Sequence, residues 1–333
     1  MIKYIFYFKT RAISNILATK DFKQKIIISI LFKILILALF PIVVNKTEIL
    51  TEEVQVGQGS NEQHNNYEED FFVARFDNLN YIQTLEDILT YIFYVDSTAY
   101  VKEEDFPLQD LANLDLSINL KGNVPRILIT HTHSSEYFVD SDKGNIDHTI
   151  VGIGRYLANI FANTHGVSVV HDIGVYDVVN NEVTREGSYE RTETGIRNIL
   201  DRHPSIEVII DLHRDAAPEG IHFVTEINGY PTAKLMFFNG ITRRNIGGVA
   251  HDLYDLFNPY IKENIALSLQ LFLTANEMYE GLARKNYIKA YRYSLHILPR
   301  SMLVEVGANT NTVQEAKNAM YPLANIIMEV LNK

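Results

Sequence analysis

Blocks of apolar residues alternate with amphipathic stretches along the second half of the chain, and they predict strands and helices in turn. Between residues 126 and 212 the predicted elements are a strand at 126–130, a helix at about 149–163, a strand at 167–171, a helix at about 190–202 and a strand at 206–212. Strands and helices in this alternation are typical of an α/β fold. We therefore predict a central, mostly parallel sheet with helices on both faces.

The same kind of pattern continues to the end of the chain. Further strands are predicted at 221–227, 233–239 and 301–306, and further helices at about 246–257, 262–279 and 313–332. In open sheets of this type, ligands bind beyond the carboxyl ends of the strands. Polar side chains at those ends are therefore candidates for a functional site.

Residues 26–44 have the length and composition of a transmembrane helix. This stretch of 19 residues is interrupted only by Ser29, Lys33 and Pro41, and about 20 apolar residues cross a bilayer. Residues 1–25 carry six basic side chains against one acid, so the positive-inside rule places them in the cytoplasm. No small-residue cleavage site follows the apolar core, which favours an uncleaved anchor. We expect a single-pass protein of the cell membrane whose remaining residues lie outside the cytoplasm.

Composition divides the part beyond the anchor into three regions. Residues 45–70 are rich in acids, Gly and Asn, and we expect them to form a solvated linker. Residues 71–120 combine aromatic residues with helical spacing and predict a small helical N-terminal region. Residues 121–333 carry the alternation of strands and helices and form the predicted catalytic domain.

Charge and cysteine content narrow the classes of ligand. The formal net charge of −11 and the pI near 5.5 argue against a nucleic-acid binder, because binding phosphates requires clustered Lys and Arg. The sequence contains no Cys, which excludes disulfides, cysteine-bound zinc and thiol nucleophiles. A metal ion would therefore have to be held by His, Asp or Glu.

Three predicted strands end in side chains that can bind a metal or transfer protons. Two apolar runs lead into His133 and His213, and a third contains Glu305. Zinc in hydrolytic sites takes three protein ligands and keeps one position open for water. We predict one Zn²⁺ site in which His133 and His213 are ligands, with Glu305 as the general base and acid.

Three residues compete for the position of the third ligand. His148, fifteen residues after His133 and at the start of a predicted helix, is the first candidate. His131 precedes His133 by two residues, so on a regular strand both side chains would point to the same face. Glu136 could bind the metal, support a ligand or transfer protons.

Three further polar residues lie next to His213 in the sequence. Asp211 is predicted to orient a ligand by hydrogen bonding to it. Arg214 and Asp215 could pair with each other or contact carboxylates of a substrate.

Several short motifs, in this order, resemble those of the stage II sporulation protein P family. They are His-Thr-His-Ser-Ser-Glu (131–136), Val-Val-His-Asp (169–172), Asp-Leu-His-Arg-Asp-Ala (211–216), Tyr-Arg-Tyr (291–293) and Pro-Arg-Ser-Met-Leu-Val-Glu-Val-Gly-Ala-Asn-Thr-Asn-Thr (299–312). The resemblance covers roughly residues 126–333. It implies the fold of N-acetylmuramoyl-L-alanine amidases and a zinc-dependent activity that cleaves the bond between muramic acid and the stem peptide of peptidoglycan. It also implies endopeptidase activity on cross-links.

The resemblance further implies a role in engulfment of the forespore, together with the stage II sporulation proteins D and M. It assigns the zinc histidines to His133 and His213 and the essential glutamate to Glu305. The chain departs from the family at 279–284, where a Pro and a Ser are replaced, and at Thr149, where the family has an Asn. Two alternatives remain: a wall-binding scaffold without catalysis, and an amidase used in division.

Overall fold

Strands and helices alternate through the part of the chain that the computed structural model describes, which comprises residues 82, 84–120, 122–142 and 144–332. Its strands are β1 (Phe93–Val95), β2 (Ile127–Thr130), β3 (Val169–His171), β4 (Val178–Val179), β5 (Glu182–Val183), β6 (Val208–Asp215), β7 (Val224–Ile227), β8 (Tyr230–Ala233), β9 (Leu235–Gly240), β10 (Arg243–Ile246), β11 (Val249–Asp252), β12 (Asn286–Lys289) and β13 (Arg300–Ala308). Its α-helices are α1 (Leu85–Tyr91), α2 (Leu108–Ala112), α3 (Ile150–His165), α4 (Ser188–Arg202), α5 (Ile261–Met278), α6 (Val313–Asn318) and α7 (Met320–Leu331).

Seven of these strands form a central sheet in the order β1-β12-β9-β13-β6-β2-β3. All neighbouring strands in it are parallel except β13 and β9, which are antiparallel. The predicted α/β fold with a mostly parallel sheet is therefore confirmed. Because β2, β6 and β13 run in the same direction, their carboxyl ends meet at one edge of the sheet.

The central strands are buried on both faces, as their continuous apolar sequences predict. Ile127 and Ile129 of β2 pack into a large cluster with residues of α3, α5 and α7. Leu128, which points the opposite way, packs with Ile196 and Ile199 of α4. Burial of each such side chain stabilises the fold by about 1.5–3 kcal/mol. The alternating residues of one short strand therefore hold helices against both faces of the sheet.

Residues 84–120 contribute to the same sheet. The predicted helices are present as α1 and α2, and β1 between them pairs in parallel with β12 at the sheet edge. Gln270 of α5 donates hydrogen bonds to the carbonyls of Leu111 and Leu114. The sequence pattern indicates only helices in this interval, whereas the structure also has an edge strand.

The helix predicted at 246–257 is wrong, because this interval contains the turn and second strand of a hairpin. Strands β10 and β11 pair antiparallel around Gly247 and Gly248, whose φ angles are 61° and 84°. Positive φ at both central residues is the requirement of a two-residue hairpin turn, and Gly meets it without strain. The Gly-Gly pair indicates this turn, although the spacing of apolar residues around it favours a helix.

The helix predicted at 313–332 is divided into α6 and α7 at Ala319. Pro322 lies in the first turn of α7. Because Pro has no backbone N–H, it is tolerated in a first turn but interrupts the interior of a helix. One continuous helix over this interval would place Pro322 in such an interior position.

The predicted cytoplasmic segment (1–25), anchor (26–44) and linker (45–70) lie outside the described residues. Within the described part of the chain, no helix combines the length and the hydropathy needed to cross a bilayer.

Candidate metal centre

Two histidines and a glutamate meet at the carboxyl ends of β2 and β6. Nδ1 of His133 lies 3.5 Å from one carboxylate oxygen of Glu136, and Nδ1 of His213 lies 3.6 Å from the other. The ligand atoms of the three residues all lie within 4.8 Å of one another. The structure thus brings together both predicted histidines and one of the three candidates for the third position.

A tight turn after β2 carries Glu136 to this position. Strand β2 ends at Thr130, and the backbone N–H of Glu136 donates to the carbonyl of His133 at 3.2 Å. This turn brings the side chains of two residues three positions apart close to each other. Glu136 is only 3% exposed, so its carboxylate is buried beside the imidazoles.

Each imidazole is held through the nitrogen that points away from Glu136. Nε2 of His213 lies 2.9 Å from Oδ1 of Asp211, and Nε2 of His133 lies 3.3 Å from Oγ of Ser188. Such contacts set the tautomer and the orientation of a metal-binding imidazole. Both histidines are therefore oriented with Nδ1 towards a shared point.

Asp211 is a buried carboxylate with a full set of hydrogen bonds. It accepts from the backbone N–H and the hydroxyl of Thr132 at 2.9 and 2.7 Å and from Oγ of Ser294 at 3.1 Å. Burial opposes its charge, but His213 and Thr132 outweigh burial and lower the pKa of Asp211 to about 2. Asp211 is therefore an ionised hydrogen-bond acceptor for His213; that it orients a metal ligand stays a prediction.

The electrostatics of the group favour a cation. Burial opposes a charge on His213, but Asp211 and Glu136 outweigh it and hold the pKa of His213 well above its usual range. Burial likewise opposes ionisation of Glu136, yet hydrogen bonds from His133 and His213 and the charge of Arg214 hold the pKa of Glu136 well below its usual range. Two buried carboxylates beside imidazole nitrogens create surroundings that could hold a metal ion.

Two arginines fix the carboxylate of Glu136. Nη1 of Arg185 lies 3.1 Å from Oε1, and the backbone N–H of Arg214 donates to Oε2 at 2.9 Å. Each oxygen of Glu136 thus has a hydrogen-bond donor in addition to the neighbouring histidine. The donor set of two imidazole nitrogens and one carboxylate oxygen fits a divalent transition metal.

Glu305 lies beside this group on the neighbouring strand. It is the register partner of His213 in the β13–β6 pair, so both side chains point to the same face of the sheet. Oε2 of Glu305 is buried and has no hydrogen-bond partner among the described residues. Burial raises the pKa of this carboxyl above its usual range. A buried, unpartnered carboxyl beside possible metal ligands is suited to proton transfer.

His148, the first candidate for the third position, lies outside the group. Its Nδ1 is 3.2 Å from a carboxylate oxygen of Asp142. The structure places Glu136, and not His148, with His133 and His213. The turn at 133–136 brings Glu136 into reach, and sequence distance alone does not reveal it.

His131 is also directed away from the group. It is fully buried, with Nδ1 3.0 Å from the carbonyl of Leu212 and Nε2 3.0 Å from Nε2 of His171. The chain leaves the extended conformation after Thr130. The rule that alternate residues share a face therefore does not apply to His131 and His133.

The side chains of Arg214 and Asp215 bind different groups. Nε of Arg214 donates to the carbonyl of Tyr137 at 2.9 Å, and its Nη1 lies 3.3 Å from the carbonyl of Asp215. The carboxylate of Asp215 pairs instead with Arg284 at 2.9 Å. The two side chains thus form no ion pair with each other.

Four residues that surround the group are not among those predicted from the sequence: Asp177, Arg185, Ser188 and Tyr189. Ser188 and Tyr189 open α4, two residues before the predicted helix start at 190. The N-cap residue before them is Gly187, which has a φ of 71° and no side chain that could accept a hydrogen bond from the first turn. Because the helix lacks the usual Ser, Thr, Asp or Asn cap, its true beginning was not apparent from the sequence.

The chain matches the family model of stage II sporulation protein P over residues 43–328. A curated relative, stage II sporulation protein P of Bacillus subtilis (strain 168), is 21% identical over 236 residues, which cover 66% of this chain and 55% of the relative. The match therefore spans about half the length of that relative.

Two solved structures are similar to this chain at a lower sequence identity. The N-acetylmuramoyl-L-alanine amidase AmiC2 of Nostoc punctiforme has a TM-score of 0.36 and 15% identity, covering 64% of this chain and 99% of its own. The CwlD amidase from Clostridioides difficile, in complex with the GerS lipoprotein, has a TM-score of 0.37 and 15% identity, covering 62% and 98%. Because the family model spans most of the sequence, the chain belongs to the stage II sporulation protein P family.

Proposed function

We propose that this protein is a zinc-dependent N-acetylmuramoyl-L-alanine amidase that hydrolyses peptidoglycan during sporulation. The observation that carries the proposal is the group of His133, Glu136 and His213 with the buried carboxyl of Glu305 beside it. Family membership supports the substrate and the setting.

His133, Glu136 and His213 would hold the zinc ion. When bound, zinc polarises the scissile carbonyl, lowers the pKa of water and favours the ionised form of a nearby carboxyl. Asp211 and Ser188 keep the two imidazoles oriented through their far nitrogens. Arg185 and the backbone N–H of Arg214 hold Glu136 in place.

Glu305 would move the proton in this reaction. Its carboxylate would accept a proton from the attacking water and give it to the nitrogen of the leaving L-alanine. Water thus supplies the hydroxyl of the new lactyl carboxyl group on muramic acid, and the amine leaves neutral. General acid–base catalysis of this kind contributes roughly 10²–10⁴-fold to the rate.

The test uses the full-length protein on purified peptidoglycan sacculi. With zinc, we expect release of peptides whose new amino terminus is L-alanine, and we expect a chelator or Glu305→Gln to abolish it. Glu219→Gln, at an exposed loop position, is the matched control and should keep full activity. Binding to sacculi without release of any peptide under every metal condition would contradict the amidase and indicate a scaffold.

Cleavage of peptide cross-links is a second activity within this proposal. Mass spectrometry of the released fragments separates it from amide cleavage, because cross-link cleavage leaves the peptide attached to muramic acid. Expression confined to sporulating cells, and copurification with stage II sporulation proteins D and M, would place the enzyme in engulfment. Expression during vegetative division would contradict that setting.

We also propose that residues 26–44 anchor the enzyme in the cell membrane. Each central Lys opposes insertion by about 2.5–3.5 kcal/mol, so the double change Leu35→Lys and Leu37→Lys should move the protein from the membrane to the soluble fraction. Leu323→Lys and Leu331→Lys would place the same charges at buried positions of α7. This second pair of changes would test folding and not membrane insertion. Membrane association that survives both new charges would contradict the anchor.

A further inference from the structure

A cleft of about 670 Å³ opens between the beginning of α4 and the segment 291–293. Its lining includes Tyr189, Glu190, Leu256, Tyr291 and Tyr293. A cleft of this size is in the range of small-molecule sites. Tyr189 links this cleft to the group that we propose holds zinc, because the same residue lines the cleft and contacts His133.

The start of α4 positions Tyr189 against His133. Gly187, with its φ of 71°, turns the chain into the helix. Ser188 then contacts His133 through its hydroxyl, and the ring of Tyr189 meets the His133 ring edge to face, with centroids 5.6 Å apart and planes at 75°. Two consecutive residues of the helix therefore contact the same imidazole.

Tyr293 holds Tyr189 from the other side. Its ring lies edge to face against Tyr189, 5.1 Å between centroids, and against Phe238, 4.7 Å between centroids. Tyr293 has a φ of 53°, a conformation that costs a non-Gly residue about 1–3 kcal/mol and that clusters at functional sites.

The strained turn at Tyr293 is fixed by close packing. Gly240 of β9 packs against the backbone of this turn. A Cβ added to Gly240 would be 2.0 Å from the carbonyl oxygen of Tyr291. Ser294, the next residue, donates to Asp211 at 3.1 Å. The turn that supports Tyr189 is thus tied to the same carboxylate that orients His213.

The hydroxyl of Tyr189 is left free by these contacts. It makes no hydrogen bond to the residues that the structure describes, although most of the ring is packed. It lies within electrostatic range of three carboxyl groups of the site, Asp211, Glu305 and Glu136. Tyr293 also interacts with Glu305, but its other carboxylate neighbour is Asp96, on the β1 side of the sheet. The ring of Tyr189 contacts His133, whereas that of Tyr293 contacts Tyr189 and Phe238, so Tyr189 is the phenol in contact with the metal group.

We propose that Tyr189 is a catalytic residue whose hydroxyl donates a hydrogen bond to the carbonyl oxygen of the scissile amide, and that the cleft holds the acyl-peptide substrate around it. This inference rests on the proposed amidase function. A donor aimed at an oxygen that gains negative charge stabilises the transition state more than the ground state. Removing one such donor typically lowers kcat by about 10²–10³-fold.

The experiment compares the full-length protein with Tyr189→Phe on a defined muramoyl-L-alanyl peptide. We expect kcat to fall at least tenfold while KM changes less than threefold and the zinc content stays at that of the unchanged protein. A second measurement uses a phosphinate in place of the scissile amide, whose tetrahedral anion mimics the transition state. Tyr189→Phe should weaken phosphinate binding by about the same factor as kcat. Tyr321→Phe, at an exposed position of α7, is the matched control and should change neither value.

Unchanged kcat and phosphinate affinity in Tyr189→Phe would overturn the inference. A loss of zinc in parallel with activity would also overturn it, because Tyr189 would then act through His133. The proposed function fails on a separate result: the unchanged protein releases no peptide whose new amino terminus is L-alanine. In that case the phosphinate measurement still decides whether the hydroxyl contacts an oxyanion in the cleft: equal affinity for the two proteins, or none for either, overturns the inference.

Discussion

Asp211 and His213 contact each other along one strand, with Oδ1 of the first 2.9 Å from Nε2 of the second. They can do so because residues two apart on a strand point to the same face. Thr132 and Ser294 complete the hydrogen bonds of Asp211. The carboxylate that orients one proposed ligand is therefore supplied by the same strand and fixed by two other segments.

Asp211→Asn is expected to weaken zinc binding by 10–100-fold, the usual effect of losing such a partner. The amide keeps the shape of the side chain but is a weaker acceptor and no longer stabilises the donor tautomer of His213. Competition with a chromogenic chelator measures the affinity. Asp201→Asn, at an exposed position of α4, should leave it unchanged, and an equal affinity in Asp211→Asn would refute the orienting role.

Replacement of each proposed ligand by Ala tests the group directly. His133→Ala, Glu136→Ala and His213→Ala should each lower zinc content after dialysis to a small fraction of one ion per chain, because a three-ligand site loses a third of its donors. His148→Ala should retain one ion, since its imidazole pairs with Asp142. Elemental analysis gives the stoichiometry. Loss of zinc in the His148 variant, with retention in the Glu136 variant, would reverse the assignment of the third ligand.

His133, His213 and Glu305 could be predicted from the sequence because each sits at or near the end of a strongly apolar strand. Parallel strands with connecting helices place such ends at one edge. The sheet order that makes Glu305 the register partner of His213 depends on long-range pairing. The pattern predicts a strand at 233–239, but not that this strand, β9, runs antiparallel to β13.

The third member of the group could not be chosen from the sequence. Its choice depends on a turn at 133–136 and on Arg185, which reaches Glu136 from 49 residues away. Nor does local spacing show that His131 pairs with His171. Such contacts depend on tertiary packing, and apolar periodicity carries no information about them.

Asp177 is expected to stabilise the turn that carries Glu136. This buried carboxylate accepts hydrogen bonds from the hydroxyls of Ser134 and Ser135 at 2.8 and 2.5 Å and lies 3.2 Å from the Ser135 backbone nitrogen. Asp177→Ala would leave these donors unpaired, so we expect the free energy of unfolding to fall by about 2–3 kcal/mol. Urea unfolding gives the value.

Zinc affinity should fall together with stability in the Asp177 variants, because the same turn places Glu136. Asp177→Asn, which keeps one acceptor, should show a smaller loss of both. Full zinc affinity in a destabilised Asp177→Ala protein would show that Asp177 supports the fold and not the metal group.

Burial of the Glu305 carboxyl makes the stability of the metal-free protein depend on pH. A carboxyl whose pKa is raised by folding contributes stability that is fully present below its unfolded pKa of about 4.3 and is lost as the pH rises towards the folded pKa. Burial raises the pKa of Glu305, so the metal-free protein should lose this contribution between pH 5 and pH 8. Glu305→Gln carries no such group, and its stability relative to the unchanged protein should rise over this interval by on the order of 2 kcal/mol. Urea unfolding at the two pH values in the presence of a chelator measures the difference, and Glu219→Gln should show none. If the stability difference between Glu305→Gln and the unchanged protein is the same at pH 5 and pH 8, the Glu305 carboxylate is stabilised by solvent or by another group, and its burial does not cost stability.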